Sequence, residues 1–436
     1  MSDIEKYRRA AVIVQSGLIF AFKELHRDFG DKTIGQVCRS VDEFLAREVS
    51  HCYKAVEEKG IALPTEISKN DFVSGVAPEE ADIFQGGVIG EGDVVKVALG
   101  VYIDGYTVQA AHTVIVRERV PQEPWTGFDA DTAIAAYLAN EAVISLLSIC
   151  LSGSHPLAGS GPVSGSRVRA VVDSIAKTYN CEVVAGSTVR KIKQFVAGQK
   201  TVHERNAKAV EWFEETPIKG YTEADNFLFE AGDAVLIDLN VASLKNAEGR
   251  IKLVEFNGSG NALEKPTVYA RDHTVAYALK TSNARALLAK ANRQSVYPFK
   301  LSYLTSDERE LRSLRLGLNE CVQRRLLVAY PRLQAQFVPL SKKQGVPVNV
   351  AREMTTVVLI PGAKSASGFP ELLRLGGGRQ FPPSWTHSEL ALADEDAAAL
   401  LNARAEKFAA VRFIEVTGRV SEGEEAAAAA SAMDIE

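Results

Sequence analysis

Apolar residues alternate with polar ones over Glu91–Val116, and this alternation predicts a pair of β-strands. Asp104 and Gly105 lie between the two apolar runs, where an Asp-Gly pair indicates a two-residue hairpin loop. Counting outward from that loop gives three opposed pairs: Ile103 with Tyr106, Gly100 with Gln109, and Ala98 with Ala111. Ala98 and Gln109 therefore lie on one face of the predicted sheet, about 7 Å apart as diagonal neighbours.

Apolar residues at helical spacing predict helices around these strands. Ile34, Val37 and Val41, for example, recur every three or four residues within 33–59. The stretch 129–153 is apolar on nearly all sides, so we expect its helix to be buried. The patterns predict helices at 3–27, 33–59, 129–153, 167–179, 281–297, 305–331 and about 391–409, and a core strand at 348–362.

A short repeat connects the hairpin with a distant strand. Gly92–Val101 and Gly232–Val241 both read Gly-Asp-x-Val and continue with apolar positions that alternate. The shared register places Ala98 opposite Asp238. A Gly-Asp turn before a strand is common, so coincidence remains an alternative. Duplicated halves that pack face to face would place both strands around one central cleft.

Charge is spread unevenly along the 436 residues. The chain has 50 basic and 55 acidic residues, and five of the acids lie in the last 16 residues, which contain no base. Residues 1–420 therefore carry 50 acids against 50 bases. Any contact with nucleic acid must come from local basic patches. The alanine- and glutamate-rich end, 411–436, is predicted to be a disordered acidic tail.

Cysteine and histidine spacing excludes several kinds of site. The five cysteines are scattered and never spaced C-x-x-C, which argues against disulfides and zinc and favours a reducing compartment. His112 is expected to be a packed histidine. LGGGRQ at 375–380 is a weak signal for phosphate binding because no clear strand precedes it. No charge-free apolar run of 18 residues stands out, so no membrane span is expected.

Several stretches taken in order resemble one known fold. They are ALPTEISKND at 62–71, GDVVKVALGVYIDGYTVQAAHT at 92–113, YNCEVVAG at 179–186, KQFVAGQKT at 193–201, FEAGDAVLIDLNVAS at 229–243, YALKTSNARAL at 277–287, and SGFPELLRL through ADEDAAALL near the end. Over residues 3–402 the chain resembles the methionine aminopeptidase fold. In particular it resembles the non-peptidase branch, the proliferation-associated, ErbB-receptor-binding protein family, which includes curved-DNA-binding proteins.

The resemblance implies an α/β (α+β) pita-bread fold, with pseudo-duplicated halves around a central curved antiparallel sheet. The implied main domain covers 1–365, with an insertion at about 241–300. Residues 366–410 would form a C-terminal extension of the fold.

The same resemblance implies a lost metal site. In the peptidases, two aspartates, a histidine and two glutamates hold two metal ions, and a further histidine contacts the substrate. By position, the metal ligands fall on Ala98, Gln109, Ser187, Asp238 and Met354, and the substrate-contacting histidine falls near Gly75. Dinuclear sites need several carboxylates to offset the metal charge and activate water. Since only Asp238 retains one, the resemblance implies no metal, no cofactor and no catalysis.

Three acid-poor basic clusters are candidates for binding RNA. Their residues are Arg190, Lys191, Lys193 and Lys200; Lys265, Arg271 and Lys280; and Lys342, Lys343 and Arg352. For any single cluster, a solvated surface is the better explanation of the charges, but three such clusters in a neutral body favour contact with phosphate backbones. In the family, the insertion is implied to contact the large ribosomal subunit near the peptide exit tunnel. There we expect recognition of RNA by shape and backbone. The acidic end of this chain departs from the lysine-rich tail common in the family.

These observations favour a catalytically inactive protein that binds the large ribosomal subunit, both rRNA and exit-tunnel proteins, in ribosome biogenesis or translation. One alternative is a nuclear regulator of transcription or growth that binds other structured RNA or DNA. Another is a divergent metallopeptidase with relocated ligands. We expect a monomer without membrane contact, in the cytoplasm and with a nuclear or nucleolar pool.

Overall fold

The computed structural model describes residues 3–408, except for 28–29, 81, 83, 118–122, 151–162, 198–207, 215–224, 257–264, 342–343, 365–369, 379–385, 393 and 403–405. The predicted tail at 411–436 lies outside these residues. The helices are α1 (Asp3–Arg27), α2 (Ile34–His51), α3 (Phe128–Cys150), α4 (Gly165–Thr178), α5 (Ser282–Ala291), α6 (Glu308–Gln323) and α7 (Glu395–Asn402).

The strands follow the same numbering along the chain. They are β1 (Lys59–Lys69), β2 (Phe72–Ser74), β3 (Val94–Ile103), β4 (Tyr106–Ile115), β5 (Cys181–Val183), β6 (Thr188–Ile192), β7 (Ala209–Glu211), β8 (Ala234–Ser243), β9 (Gly249–Glu255), β10 (Val268–Arg271), β11 (Phe299–Lys300), β12 (Leu327–Tyr330), β13 (Leu333–Pro339), β14 (Val346–Pro347), β15 (Val350–Lys364), β16 (Pro370–Arg374) and β17 (Glu406–Phe408).

The central sheet confirms the predicted hairpin. Its strand order is β1-β3-β4-β15-β8-β6-β7. Strands β3 and β4 pair with Ile103 opposite Tyr106, Gly100 opposite Gln109, and Ala98 opposite Ala111. Helices α1 and α2 contribute to the core on β3 and β4, whereas α3 and α4 contribute to the core on β8 and β15. Each half of the sheet thus has its own pair of covering helices.

The two halves repeat in their hydrogen bonds, which supports duplication over coincidence. Before β3, the N–H of Gly92 donates to Val116 and the N–H of Val116 donates to Asp93. Before β8, the N–H of Gly232 donates to Leu359 and the N–H of Leu359 donates to Asp233. Both glycines have positive φ, 83° and 97°, which explains why each strand starts with Gly-Asp. The halves meet where β15 pairs with both β4 and β8. This is the pita-bread arrangement.

Helix α3 is the most apolar of the helices that the structure describes. Within it, Phe128–Ser148 is long and apolar enough to cross a membrane by length and composition alone. Most of that stretch is buried inside the protein. The expected burial of this helix is therefore confirmed.

Several predicted helices are shorter than the apolar pattern suggested. Helix α2 begins with a capping box, in which Thr33 and Gln36 bond to each other's backbone, but it ends at His51 and β1 follows. Helix α6 begins after the N-cap Asp307 and ends at Gln323. The sequence LVAY after it forms β12, because branched and aromatic side chains suit a strand that pairs with β10.

The insertion predicted at about 241–300 overlaps a longer segment outside the central sheet. Strands of the central sheet stop at Ser243 and resume at Val350. Between these points, β9, β13 and β14 form a second sheet with β2, and β10, β11 and β12 form a third. Helices α5 and α6 pack on the third sheet. Downstream, β16 adds to the fold by pairing with β15.

Strand β9 lies at an edge of the second sheet and pairs with β13 on one side. On its other side, the N–H groups of Ile251 and Leu253 donate to side chains rather than to a strand. The acceptors are the carboxylates of Glu182 at 3.0 Å and Glu214 at 2.9 Å. These two N–H groups are therefore already hydrogen-bonded and are not available for pairing with another strand.

Buried polar contacts hold the insertion to the core. Lys300 in β11 forms a buried ion pair with Asp42 in α2 at 2.8 Å. The hydroxyl of Tyr297 contacts the hydroxyl of Thr107 at 2.7 Å and donates to the carbonyl of Gly105 at 2.9 Å. The insertion is thus anchored to the loop of the central hairpin as well as to a covering helix.

Candidate functional site

A row of neighbouring positions crosses the central sheet at the place where the two halves meet. Register pairs Glu66 with Ala98, Ala98 with Ala111, Ala111 with Met354, and Met354 with Asp238. Opposed residues project from the same face, so this row lies on one side of the sheet. We call the space that this row faces the cleft. The repeat and the hairpin together predicted that Ala98 and Asp238 occupy corresponding positions, and both belong to this row.

Four of the positions at which metal ligands are expected to be lost hold side chains that are packed in the core or hydrogen-bonded within the protein. Ala98 and Met354 are each 1% exposed. The amide of Gln109 donates to the carbonyl of Ala197 at 3.0 Å. The buried hydroxyl of Ser187 donates to Val184 at 2.8 Å and accepts from the N–H of Asn240 at 2.9 Å.

Asp238 is bound by an arginine. Nε and Nη2 of Arg352 donate to the two carboxylate oxygens of Asp238 at 2.8 and 2.9 Å. Nη1 of Arg352 donates to Glu66 at 3.1 Å. Burial alone would lower the pKa of the guanidinium, but Asp238 and Glu66 raise it above its ordinary value. A bidentate pair with a second carboxylate is among the strongest polar contacts in proteins.

The residues at this cleft do not fit a dinuclear metal site. Ala98 and Met354 have no carboxylate to offer, and Asp238 is engaged by Arg352. Among the residues that the structure describes, no group of three or more His, Cys, Asp or Glu side chains is placed to hold a metal ion. Several carboxylates around two cations are the usual requirement.

At Gly75, near which the resemblance places the substrate-contacting histidine of the peptidases, the backbone of the insertion lies close. Gly75 has φ of 84°, and a Cβ atom there would lie 2.3 Å from the carbonyl oxygen of Pro331. The insertion therefore runs directly over this glycine. A side chain at residue 75 would clash with the insertion and strain the backbone.

Lys96 is a buried amine near the same cleft. It is 1% exposed, and its Nζ donates to the carbonyl of Asn70 at 2.6 Å. Burial lowers the pKa of Lys96 to about 7, although the carboxylate of Asp71 partly opposes this. Arg352 contributes to the lowering by repulsion. The lysine thus releases its proton near neutral pH in the folded protein.

Replacing Lys96 with methionine is expected to stabilise the protein at neutral pH. From about pH 7 to about pH 9, the unfolded chain holds a proton on Lys96 that the folded chain releases, so wild-type stability rises with pH. The rise from this group is up to about 1.4 kcal/mol per pH unit, and the variant loses it. Urea denaturation of both proteins across this range measures the difference. A constant difference would contradict the prediction. Lys54→Met, at an exposed lysine, is the matched control.

His112 is a packed histidine, as expected. Its Nδ1 lies 2.7 Å from a carboxylate oxygen of Glu353, and both side chains are buried. A Cβ atom on Gly378 would lie 2.1 Å from that nitrogen, so the glycine-rich stretch packs directly on the pair. The N–H of Gly377 donates to Gln15 at 3.0 Å. These glycines serve close packing, which argues against the phosphate-binding interpretation.

The candidate RNA-binding residues occupy very different environments. Lys193, Lys265 and Lys280 are exposed. Arg190 and Lys191 are partly buried and paired with Glu211 and Asp233. Lys200, Lys342 and Lys343 lie outside the described residues.

Two of the candidates need correction. Arg271 is buried, and its guanidinium donates to backbone carbonyls that include those of Leu326 and Val275. Arg352 is buried in the cleft with Asp238 and Glu66. Both guanidinium groups are engaged inside the protein, so neither belongs to an exposed basic surface.

A cluster on the insertion was only partly predicted. The guanidinium of Arg324 lies 4.6 Å from the ring centre of Tyr277, which is 41% exposed. Glu320 lies in α6, one turn before Arg324, and accepts a hydrogen bond from the N–H of Lys280. Arg285 donates to the carbonyl of Lys280, so both cations lie beside Arg324. Arg325 follows Arg324 and is exposed. We call Tyr277, Lys280, Arg285, Arg324 and Arg325 the insertion patch. The Arg-Arg pair after α6 was the missed signal.

Comparisons with known proteins give consistent relatives. No protein-family model matches the chain. "Probable metalloprotease ARX1" of Yarrowia lipolytica is 37% identical over 90% of this chain and 89% of its own length. "ERBB-3 binding protein 1" of Solanum tuberosum is 28% identical over 82% of this chain and 79% of its own. Among solved structures, a thermophilic Arx1 matches with a TM-score of 0.71 and 21% identity, over 92% of this chain and 98% of that one.

Proposed function

The chain belongs to the Arx1 family, and on that premise we propose that it is a catalytically inactive, aminopeptidase-like protein that binds the large ribosomal subunit. The proposed contacts are rRNA and proteins near the peptide exit tunnel, and the proposed role is in ribosome biogenesis or translation. We also propose a monomer that is mainly cytoplasmic, with a nuclear or nucleolar pool.

The non-catalytic part of this proposal depends chiefly on one observation, the engagement of Asp238 by Arg352. The relatives are named probable metalloproteases. In this chain, however, the one carboxylate at the expected ligand positions is bound to a guanidinium, and Ala98 and Met354 offer no oxygen. A site of this composition lacks the charge needed to bind two metal ions and activate water.

The insertion patch supports a role in binding RNA. It combines four cations with an exposed aromatic ring, and the nearby acid Glu320 is engaged by N–H groups of residues 280 and 281. Arginine and lysine contact phosphates, and aromatic or guanidinium planes stack on unpaired bases. The anchors to Asp42 and Gly105 hold this patch in a fixed orientation on the core.

Reversing the patch charges is expected to weaken ribosome binding. In Lys280→Glu, Arg324→Glu, Arg325→Glu, we expect co-sedimentation with large subunits at about 50 mM salt to fall at least about tenfold. The plot of log affinity against log salt should flatten by about one unit for each lost phosphate contact. Competition with structured rRNA and duplex DNA at matched salt separates ribosome binding from general nucleic-acid binding.

The control reverses three exposed cations that lie on α1, on α2 and in the turn after α2: Arg8→Glu, Arg47→Glu, Lys54→Glu. It changes the net charge by the same amount and should bind like the wild type. Equal losses in both variants would show that overall charge matters, rather than the patch. No binding of the wild type at low salt would reject the ribosomal role.

A further inference from the structure

The cleft of this chain differs from that of the peptidases in its charges. In the peptidases that the sequence resembles, four carboxylates face two divalent ions. Here Glu66 and Asp238 contribute two carboxylates, and the guanidinium of Arg352 contacts both. Their side chains are 6%, 17% and 9% exposed, so the interaction is largely shielded from water. One side chain of the protein therefore supplies cationic charge at a place where metal ions would supply it.

The geometry of the sheet explains how one guanidinium reaches both acids. Glu66 belongs to β1 and Asp238 to β8, four strand steps apart in the sheet order. Four steps span about 19 Å along a flat sheet. Both acids nonetheless lie within 3.1 Å of Arg352 atoms. The curvature of the sheet brings them together, and Arg352 links the two halves of the fold across the cleft.

The backbone of Arg352 is fixed as well as its side chain. Its N–H donates to the hydroxyl of Thr113 at 2.7 Å, and that hydroxyl donates to its carbonyl at 2.8 Å. Thr113 lies in β4, in the first half of the fold. The guanidinium is therefore directed into the cleft by contacts with the opposite half.

We infer that the guanidinium of Arg352 replaces the metal ions as the resident cation of this cleft and thereby excludes divalent cations from Asp238 and Glu66. This inference deepens the non-catalytic part of the proposed function and is independent of ribosome binding. Replacing the guanidinium with a shorter, neutral amide side chain makes both carboxylates available to a cation.

Thermal unfolding with and without about 1 mM MnCl2, at matched ionic strength, tests this inference. We expect the Tm of the wild type to move by less than about 1 °C. Arg352→Gln should have a lower Tm, which Mn²⁺ raises by about 2 °C or more. Arg352→Lys keeps the charge and should remain unresponsive. Arg352→Gln combined with Asp238→Asn should lose the response.

Native mass spectrometry of the same samples gives a second readout of bound Mn²⁺. A folded Arg352→Gln without a response to Mn²⁺ overturns the inference. Mn²⁺ bound to the wild type and lost in Asp238→Asn also overturns it. If Arg352→Gln does not fold, the wild type and Arg352→Lys decide: Mn²⁺ bound to either rejects the inference, and none bound to either supports it. Ribosome co-sedimentation is a separate measurement and does not affect this outcome.

Discussion

Replacing Arg352 with methionine is expected to lower the free energy of unfolding by about 3–5 kcal/mol. The variant keeps the bulk of the side chain but leaves Glu66 and Asp238 facing each other without a cation. Both carboxylates are largely buried, so water cannot compensate them well. Urea denaturation followed by circular dichroism, without added divalent ions, measures the loss.

The control for this prediction also removes the two carboxylates that Arg352→Met leaves without a cation. Adding Glu66→Gln and Asp238→Asn to Arg352→Met should recover most of the stability, because neutral amides cost less to bury than unpaired carboxylates. If the triple variant is no more stable than Arg352→Met, lost packing rather than charge explains the effect.

Replacing Lys300 with methionine is expected to cost a similar amount, about 3–5 kcal/mol. Lys300 and Asp42 are 3% and 7% exposed and lie 2.8 Å apart. Burial alone would lower the pKa of Lys300, but Asp42 raises it above its ordinary value, so the ammonium is charged at neutral pH. Losing the ammonium leaves Asp42 buried and charged at the junction between the insertion and α2.

Hydrogen exchange locates this second effect. Amides of α5, α6 and β11 should exchange faster in Lys300→Met, whereas those of β8 should change little, because the ion pair joins the insertion to the core. Lys300→Met combined with Asp42→Asn should restore part of the stability, since asparagine still accepts from the N–H of Thr65. Uniformly faster exchange throughout the chain would contradict a local role at this junction.

The sequence predicted the hairpin well because residues close together in the chain determine its register. The Asp-Gly loop and the apolar alternation determine the register of β3 and β4, and the structure confirms each of the predicted pairs. Burial of α3 followed from apolar residues on all its sides. The Gly-Asp repeat predicted duplicated halves because the same backbone turn begins both strands. The family resemblance, which the curated relatives confirm, added the prediction of lost metal ligands.

The role of Arg352 could not be predicted in this way. It stands in an acid-poor run of sequence, so it was counted as a surface cation. Its partners Asp238 and Glu66 lie 114 and 286 residues away along the chain. Contacts over such separations depend on the curvature of the whole sheet. The end of α6 was missed for a related reason, because LVAY continues the apolar pattern of this helix and becomes a strand only by pairing with β10.

The two carboxylates beside β9 also bear on how copies of this protein behave toward one another at high concentration. An edge strand with vacant N–H groups is a template on which another chain can add a strand. At Ile251 and Leu253 those groups already donate to Glu182 and Glu214. An incoming strand would have to displace both acids and leave their charges at a partly buried contact. The carboxylates of Glu182 and Glu214, which lie outside the insertion, thus oppose the addition of a strand from another copy along β9.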